Sequence, residues 1–288
     1  DSVRGATKVL RSEATNAEYT QTDSLVSFDT DGFSTEEYSQ INTDTETYVA
    51  WNWKINGGTH TTDTNGTVDS EITVNAAAGI SMFTWTATGA TETIGHGLGS
   101  APELLIMKSR GSGNWWTYLA SQGTGKALAL DDTMAVQSNA NYFATVNSTL
   151  WSNGSYTYSG GTDVNYVGFA FKSVDGYSKV GEYIGNGDAD GVFVYTGFRP
   201  AFVLRKRTDS SEDWNIFDNE RGVSYNLVDD YLRANDNGAE VSNHSTVRMD
   251  LVSNGFKIRG TNSGINADGA TFIYLAFAET PFKYSNAR

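Results

Sequence analysis

One short aromatic motif occurs three times in the chain and constrains the fold more than any other feature. The copies are Tyr48-Val-Ala-Trp-Asn-Trp-Lys54, Tyr166-Val-Gly-Phe-Ala-Phe-Lys172 and Tyr274-Leu-Ala-Phe-Ala-Glu-Thr280. Aromatic and β-branched residues that alternate with small ones are typical of a strand buried on at least one face. The motif returns after about 110 residues, which is too long for a solenoid rung or a propeller blade and fits a small β-sandwich.

The composition agrees with a β fold and argues against several functions. The chain has 30 Gly, 15 Tyr and 14 Phe but only 3 Pro, and no long stretch carries apolar residues at helical spacing. We therefore predict an all-β protein built from tandem antiparallel β-sandwich repeats of the lectin-like or jelly-roll kind. The net charge of −14 argues against nucleic-acid binding. The absence of cysteine excludes disulfides and thiol catalysis, and no apolar run approaches the ~18 residues that a membrane span needs.

Short matches divide the chain into four segments. Asp1-Ser-Val-Arg-Gly5 matches Asp218-Asn-Glu-Arg-Gly222, and the Asp-Gly-Phe turn that ends at Phe33 matches the Asn-Gly-Phe turn that ends at Phe256. Residues 1–54 therefore resemble the back half of a unit whose front half would precede Asp1. We predict a polar linker over 55–78 and complete units over 79–178 and 179–288, called here the first and second units. Residues 1–54 are called the N-terminal segment.

The two complete units match along much of their length. Pro102–Lys108 corresponds to Pro200–Lys206, and a tryptophan follows each lysine by eight residues, which pairs Trp116 with Trp214. We also pair Asp131-Asp132 with Asp229-Asp230, and Ile80–Thr86 with Val192–Thr196. Positions that recur in this way serve architecture, so recognition is expected only where the units differ.

The candidate chemical groups favour structural roles by that criterion. His96, in Gly95-His-Gly-Leu-Gly99, is either a general base or a turn residue, and the second unit has no histidine there. The two acidic pairs would suit acid–base chemistry or a cation, but they recur. Residues 186–191 (Asn-Gly-Asp-Ala-Asp-Gly) alternate oxygen ligands like a calcium loop, yet Gly197 stands where an EF-hand needs Glu. We predict no catalytic residue, no metal site and no cofactor.

One stretch has no counterpart in the second unit and is our candidate for ligand binding. It runs Trp151-Ser-Asn-Gly-Ser-Tyr-Thr-Tyr158 inside an Asn-, Ser- and Thr-rich region over 138–163. Aromatic faces stack on sugar rings, and binding residues are concentrated on loops. The candidate ligand contacts are Trp151, Asn153, Tyr156 and Tyr158.

Taken together, several motifs resemble a known family of virion proteins. They include Phe28-Asp-Thr-Asp-Gly-Phe33, Gly95-His-Gly-Leu-Gly-Ser-Ala-Pro102, Asn114-Trp-Trp116, Tyr195-Thr-Gly-Phe-Arg-Pro200 and the terminal Pro281-Phe-Lys-Tyr-Ser-Asn-Ala-Arg288. Across nearly its whole length the chain is similar to repeat-bearing, tail-fibre-like structural proteins of tailed bacteriophages, many of them marine, with lectin-like β-sandwich repeats. That family brings no catalytic residues to transfer.

The resemblance implies a virion protein, outside the cell in the phage particle, that recognises a host-surface glycan through its loops. Its expected partners are further copies of itself, since trimers are usual for fibres, and other virion proteins. Two alternatives stay open. One is a capsid-decorating or purely architectural protein without a ligand, and the more remote one is a polysaccharide depolymerase, which needs two carboxyl groups at a set separation.

Overall fold

The computed structural model describes residues 1–56, 59–154, 162–221 and 226–281. Nearly all of its regular structure is β, as the sequence predicts, with one short helix, α1 (Ser263–Asn266). The N-terminal segment contains β1 (Lys8–Val9), β2 (Tyr19–Thr20), β3 (Leu25–Phe28) and β4 (Phe33–Thr35). Residues 55–78 contain β5 (Thr61–Asp63) and β6 (Ser70–Asn75).

The two units contain the remaining strands. Those of the first unit are β7 (Ile80–Ala87), β8 (Thr93–Gly95), β9 (Leu104–Ser109), β10 (Trp115–Leu119), β11 (Lys126–Ala129), β12 (Gln137–Ser138), β13 (Thr145–Val146), β14 (Leu150–Ser152) and β15 (Val164–Phe171). Those of the second unit are β16 (Ser178–Ile184), β17 (Phe193–Tyr195), β18 (Pro200–Arg207), β19 (Asn215–Asp218), β20 (Leu232–Arg233), β21 (Met249–Val252), β22 (Gly255–Ile258) and β23 (Thr271–Ala278).

The large sheets of the two units order their strands in the same way. The first contains β11-β10-β9-β15-β7 and continues into β6 and β5, and the second is β20-β19-β18-β23-β16. Each is faced by a small three-stranded sheet, β13-β14-β8 in the first unit and β21-β22-β17 in the second. Position for position, β7 therefore corresponds to β16, β8 to β17, β9 to β18 and β15 to β23.

Two of the three motif copies are central strands, and the third is not a strand. β15 pairs with β7 and β9, and β23 pairs with β16 and β18, so each has neighbours on both sides. Residues 48–54 lie in no strand, which corrects the prediction for this copy. Tyr166 and Tyr274 are 1% and 4% exposed, whereas Tyr48 is 49% exposed. The N-terminal segment provides no neighbouring strands for this copy, and an unpaired strand leaves its backbone groups unsatisfied.

Backbone register also corrects three of the predicted pairings. Lys108 lies opposite Trp115. Arg205 lies opposite Asn215, so the next pair along the hairpin joins Lys206 to Trp214. Trp214 therefore corresponds to Trp115 and not to Trp116. The hairpin loop of the second unit is one residue longer, so counting from the lysine misplaces the tryptophan. Asp131 corresponds to Asn235 of the second unit and not to Asp229. Asp131 accepts a hydrogen bond from the backbone N–H of Trp115, and Asn235 accepts the same bond from Trp214. Ile80–Thr86 lies in β7, which corresponds to β16, whereas Val192–Thr196 contains β17, which corresponds to β8.

Three apolar clusters form the core. The first unit encloses one between its large and small sheets, which includes Phe83, Trp85 and Trp151. The second unit encloses another around Phe256 and Phe272. A third lies between the two large sheets and also contains Leu10, Trp51 and Ile55 from the N-terminal end of the chain. All three parts of the chain therefore contribute to this shared cluster, which is the name used below.

Residues 55–78 are not the polar surface linker that their composition predicts. β5 and β6 extend the large sheet of the first unit beyond β7, and the side chains of Ser70 and Thr73 are buried. Val68 pairs with Ile94, so the segment also covers the edge of β8. Thr-rich polar strands suit a sheet edge, which explains why composition alone suggested a linker. The predicted unit boundary at 178/179 falls just inside β16.

Candidate functional site

The predicted ligand contacts are not on an open surface. Trp151 is 1% exposed and lies in β14, with its ring centroid 5.4 Å from that of Trp85. Asn153 is buried, and its side-chain oxygen accepts a hydrogen bond from the backbone N–H of Glu92 at 3.0 Å. A buried indole offers no face to a sugar, so direct contact through Trp151 or Asn153 is wrong for this structure. Tyr156 and Tyr158 lie outside the described residues.

His96 is a buried turn residue. The backbone N–H of Leu98 donates to its Nδ1 at 3.1 Å, so the proton is on Nε2, which lies 3.1 Å from the carbonyl oxygen of Asn147. Burial lowers the pKa of His96 and keeps the ring neutral. Both ring nitrogens are engaged by backbone, so this histidine braces two loops and is not exposed to substrate.

Lys108 and Lys206 occupy matching positions, and each donates hydrogen bonds to backbone carbonyls of its own hairpin. Lys108 Nζ donates to the carbonyl oxygens of Ser109 and Gly111, at 2.6 and 2.8 Å. Lys206 Nζ donates to the carbonyls of Arg207 and Ser210. Burial lowers the pKa of each lysine to about 8. A lysine with a lowered pKa in a cleft suggests catalysis, but here each ammonium group is held by two carbonyls of its own hairpin.

Arg4 and Arg221, which stand at the same place in the two matching segments that begin at Asp1 and Asp218, form matching ion pairs. Arg4 contacts Asp1 and also Glu18, and Arg221 contacts Asp218 and also Glu240. In both cases the aspartate additionally accepts the arginine's own backbone N–H, at 3.0 Å. The sequence indicated the aspartates, but the glutamates were missed because they follow after loops of different length.

Three of the hydrogen bonds that join the first and second units link a hairpin to a sheet edge, and we call this set a junction. Trp214 Nε1 donates to the carbonyl oxygen of Ala129 at 2.8 Å. The backbone N–H of Glu212 donates to the carbonyl of Thr133, and the N–H of Val136 donates to the carbonyl of Thr208, both at 2.8 Å. A β-hairpin of one unit is thereby fixed to the outer edge of the preceding unit's sheet.

The N-terminal segment meets the first unit through the same three bonds. Trp115 Nε1 donates to the carbonyl of Arg11 at 2.7 Å, and the N–H of Gly113 donates to the carbonyl of Thr15. The N–H of Glu18 donates to the carbonyl of Arg110, whose guanidinium also binds Glu18 through both carboxylate oxygens. The three residues of the receiving edge have identical spacing in the two junctions, and the docked hairpins differ only by the one extra loop residue of the second unit.

An open aromatic surface lies on the small sheet of the second unit. Phe193 and Tyr195 on β17 are 47% and 65% exposed. The matching residues of the first unit, Thr93 and Gly95, are covered by the 59–75 segment, since the N–H of Val68 donates to the Thr93 carbonyl and the Ser70 hydroxyl donates to the Gly95 carbonyl. The same sheet position is therefore closed in one unit and open in the other.

A pocket whose lining includes four charged residues lies beside this surface. Lys257, opposite Phe193 in the sheet, binds Asp190 at 2.9 Å, and Arg259 binds both Asp190 and Asp250. These pairs border a surface pocket of about 530 Å³ lined by Ala189, Asp190, Leu227, Arg248, Asp250 and Arg259. A hydrogen bond from Lys257 lowers the pKa of Asp190, so this carboxylate stays ionised as an acceptor.

Comparison with protein families finds one family whose model matches the chain. The model of one family, described as a domain of unknown function (DUF7483), matches residues 1–281. The chain belongs to that family. The match spans the N-terminal segment and nearly all of both units. No curated protein and no solved structure matches the chain.

The calcium-like loop uses its oxygens internally. Asn186 Oδ1 accepts the N–H of Asp188, and Asp188 Oδ1 accepts the N–H of Asp190. Asn266 Nδ2 donates to Asn186 Oδ1 and to the Asp188 carbonyl. Among the described residues no group of three or more acidic or histidine side chains could hold a metal ion, and no helix is long and apolar enough to cross a bilayer.

Proposed function

We propose that this chain is a structural protein of a tailed-bacteriophage virion, tail-fibre-like in role, whose β-sandwich units stack into a rigid body and recognise a host-surface glycan. The observation that carries the architectural part is the junction, which the chain uses twice with the same three hydrogen bonds. An interface that repeats between successive units is what a modular assembly needs. The virion setting is supported by the sequence resemblance.

Non-enzymatic action is part of this proposal. Burial raises the pKa of Asp131, which would suit a general acid. However, Asp131 holds the N–H of Trp115, and the matching residue of the second unit, Asn235, holds the N–H of Trp214 with an amide oxygen. A position that works with either an acid or an amide serves the hairpin, and proton transfer is not required of it.

The glycan site that we favour is the open surface of the second unit. Phe193 and Tyr195 offer adjacent aromatic faces, and the Lys257–Asp190–Arg259 network beside them offers donors and acceptors for hydroxyl groups. Binding sites commonly combine an apolar platform with a few placed polar groups. This location replaces Trp151 and Asn153, which are buried.

Adsorption to host cells and binding to purified host polysaccharide test this site. Tyr195→Ala should weaken binding about tenfold or more, because loss of an aromatic contact costs on the order of 1.5 kcal/mol. Ile184→Ala is the control, since Ile184 is also an exposed apolar side chain, at 50%, but lies on β16 of the large sheet and does not line the pocket. Equal binding by wild type, Tyr195→Ala and Ile184→Ala would refute the site.

The alternative is an architectural or capsid-decorating protein without a ligand. This alternative is favoured because the candidate residues that the structure describes as buried pack in the core or hydrogen-bond to the backbone. Immunogold labelling of purified particles distinguishes tail from capsid placement, and wild-type protein that binds no host polysaccharide would leave the architectural role alone. Release of oligosaccharides from host polysaccharide would instead establish the depolymerase.

A further inference from the structure

The second unit carries an unused copy of the surface to which hairpins dock. Three equivalent strand pairs define this surface: Val9 opposite Tyr19, Ala127 opposite Gln137, and Tyr231 opposite Val241. Counting from these pairs aligns Arg233 with Arg11 and Ala129, Asn237 with Thr15 and Thr133, and Glu240 with Glu18 and Val136. The Asx turn within this edge is also shared, since Asp132 accepts the N–H of Met134 and Asp236 accepts the N–H of Gly238.

The three groups that make a junction are free in the second unit. Within the described residues, the carbonyls of Arg233 and Asn237 and the N–H of Glu240 have no hydrogen-bond partner. Asn237 and Glu240 are exposed, and Leu232 is only partly covered, whereas its counterpart Leu128 is fully buried. An edge that presents unpaired backbone groups is a template for another β-element.

We propose that this edge, residues 232–240, is a third junction and that its occupant is a third tryptophan-bearing hairpin of the type formed by 102–119 and 200–217. The tryptophan would donate to the Arg233 carbonyl, and the hairpin backbone would pair with Asn237 and Glu240.

Charge favours this occupant. Glu18 binds Arg110 of the docked hairpin, and Glu240 occupies the position of Glu18 with its carboxylate exposed and held by Arg221. In the junction between the first and second units, the edge has Val136 at this position. The docked hairpin has Thr208 where the other hairpin has Arg110. The edge at Glu240 is therefore of the kind that receives an arginine.

Two further features of the N-terminal segment are explained by the same hairpin. Residues 48–54 lack the neighbouring strand that a hairpin of this type provides to β15 and β23. Phe28 and Phe33 are exposed, whereas the matching Leu251 and Phe256 are buried under the second unit's large sheet. Since all three parts of the chain already surround the shared cluster, a third junction would close them into a ring.

The test supplies a third hairpin taken from the chain's own sequence. A second copy of residues 179–217 is fused directly before Asp1, because Asp1 matches Asp218, and amide hydrogen exchange is measured in the parent and fused chains. We expect the Glu240 amide to exchange at least tenfold more slowly in the fusion, while the Val136 amide is protected in both. A fusion with the added copy of Trp214 changed to Ala should lose most of the Glu240 protection, and an added copy with Thr208→Arg should increase it.

The outcomes separate the occupants. An unchanged Glu240 exchange rate in a folded fusion, with Val136 protected, overturns the proposal. Protection of Glu240 in the parent together with dimerisation would show that a second copy of the chain covers the edge, and this also overturns it. If the fusion does not fold, a synthetic peptide of residues 200–217 is titrated into the parent chain. A shift of the Glu240 amide resonance then supports the proposal, and no shift at saturating peptide refutes it.

Discussion

Replacement of Trp214 by Phe tests whether the junction stabilises the molecule. The indole is buried, and its Nε1 lies 2.8 Å from the carbonyl oxygen of Ala129. Phe keeps an aromatic ring in the shared cluster but removes the donor. Leaving a buried carbonyl without a partner costs about 1–3 kcal/mol, and the smaller ring loses roughly another 1 kcal/mol of apolar burial. We expect the free energy of unfolding to fall by about 2–4 kcal/mol.

Trp85→Phe is the matched control for the smaller ring. Trp85 is equally buried, inside the first unit, but its Nε1 has no hydrogen-bond partner. This variant should lose only about 1 kcal/mol or less, because it removes no hydrogen bond and relieves an unsatisfied donor. The difference between the two variants therefore measures the junction bond.

Urea unfolding followed by far-UV circular dichroism measures both variants without depending on tryptophan fluorescence. The slope of the transition should be unchanged, since the same surface is exposed on unfolding. If Trp214→Phe and Trp85→Phe agree within about 0.5 kcal/mol, the bond to Ala129 contributes nothing measurable. The reasoning that the junction holds the units together would then be refuted.

Three further changes test other parts of the structure. Arg110→Ala should speed proteolysis of the N-terminal segment several-fold and barely affect global stability, because the ion pair that it breaks, with Glu18, is partly exposed; equal cleavage rates would contradict this. Folding lowers the pKa of His96, so the unfolded state binds an extra proton at low pH. The free energy of unfolding should therefore fall below about pH 6.5, by up to about 1.4 kcal/mol per pH unit. Urea unfolding of His96→Asn should lack this pH dependence, and the control His60→Asn, at an exposed histidine, should keep it. Gly168→Ala should lower thermal stability by about 1–3 kcal/mol, because the new Cβ would lie 2.3 Å from the Phe83 ring; an unchanged melting temperature would show that Phe83 moves freely.

Local sequence matches predicted the fold where the chain repeats a complete motif. The Arg221 ion pair with Asp218 and the buried strand that ends at Lys206 follow from residues a few positions apart, so their geometry is local. The tryptophan pairing failed because one extra loop residue shifts the count, and only backbone register aligns Trp214 with Trp115. Residues 48–54 read as a strand but need neighbours that the N-terminal segment does not provide.

The candidate site was harder to predict because composition conceals short strands. The Asn- and Ser-rich region around Trp151 read as a loop, yet β14 pairs there with β8 and turns the indole into the core. Phe193 and Tyr195 read as an ordinary alternating strand. Their exposure arises because, among the residues that the structure describes, no segment covers them as 59–75 covers β8, and this is a tertiary property that no local pattern contains.

The chemistry of the junction explains how units can share an architecture and still differ in their exposed surfaces. Of the six junction hydrogen bonds, four join backbone groups and two join a tryptophan donor to a backbone carbonyl. Backbone groups are present whatever the side chains are, so most junction positions can change without loss of the interface. The accepting residue is Arg11 in one junction and Ala129 in the other, which illustrates this freedom. The outer small sheets can therefore differ between units while the junction stays the same, and the contrast between covered Gly95 and exposed Tyr195 is an example of that difference.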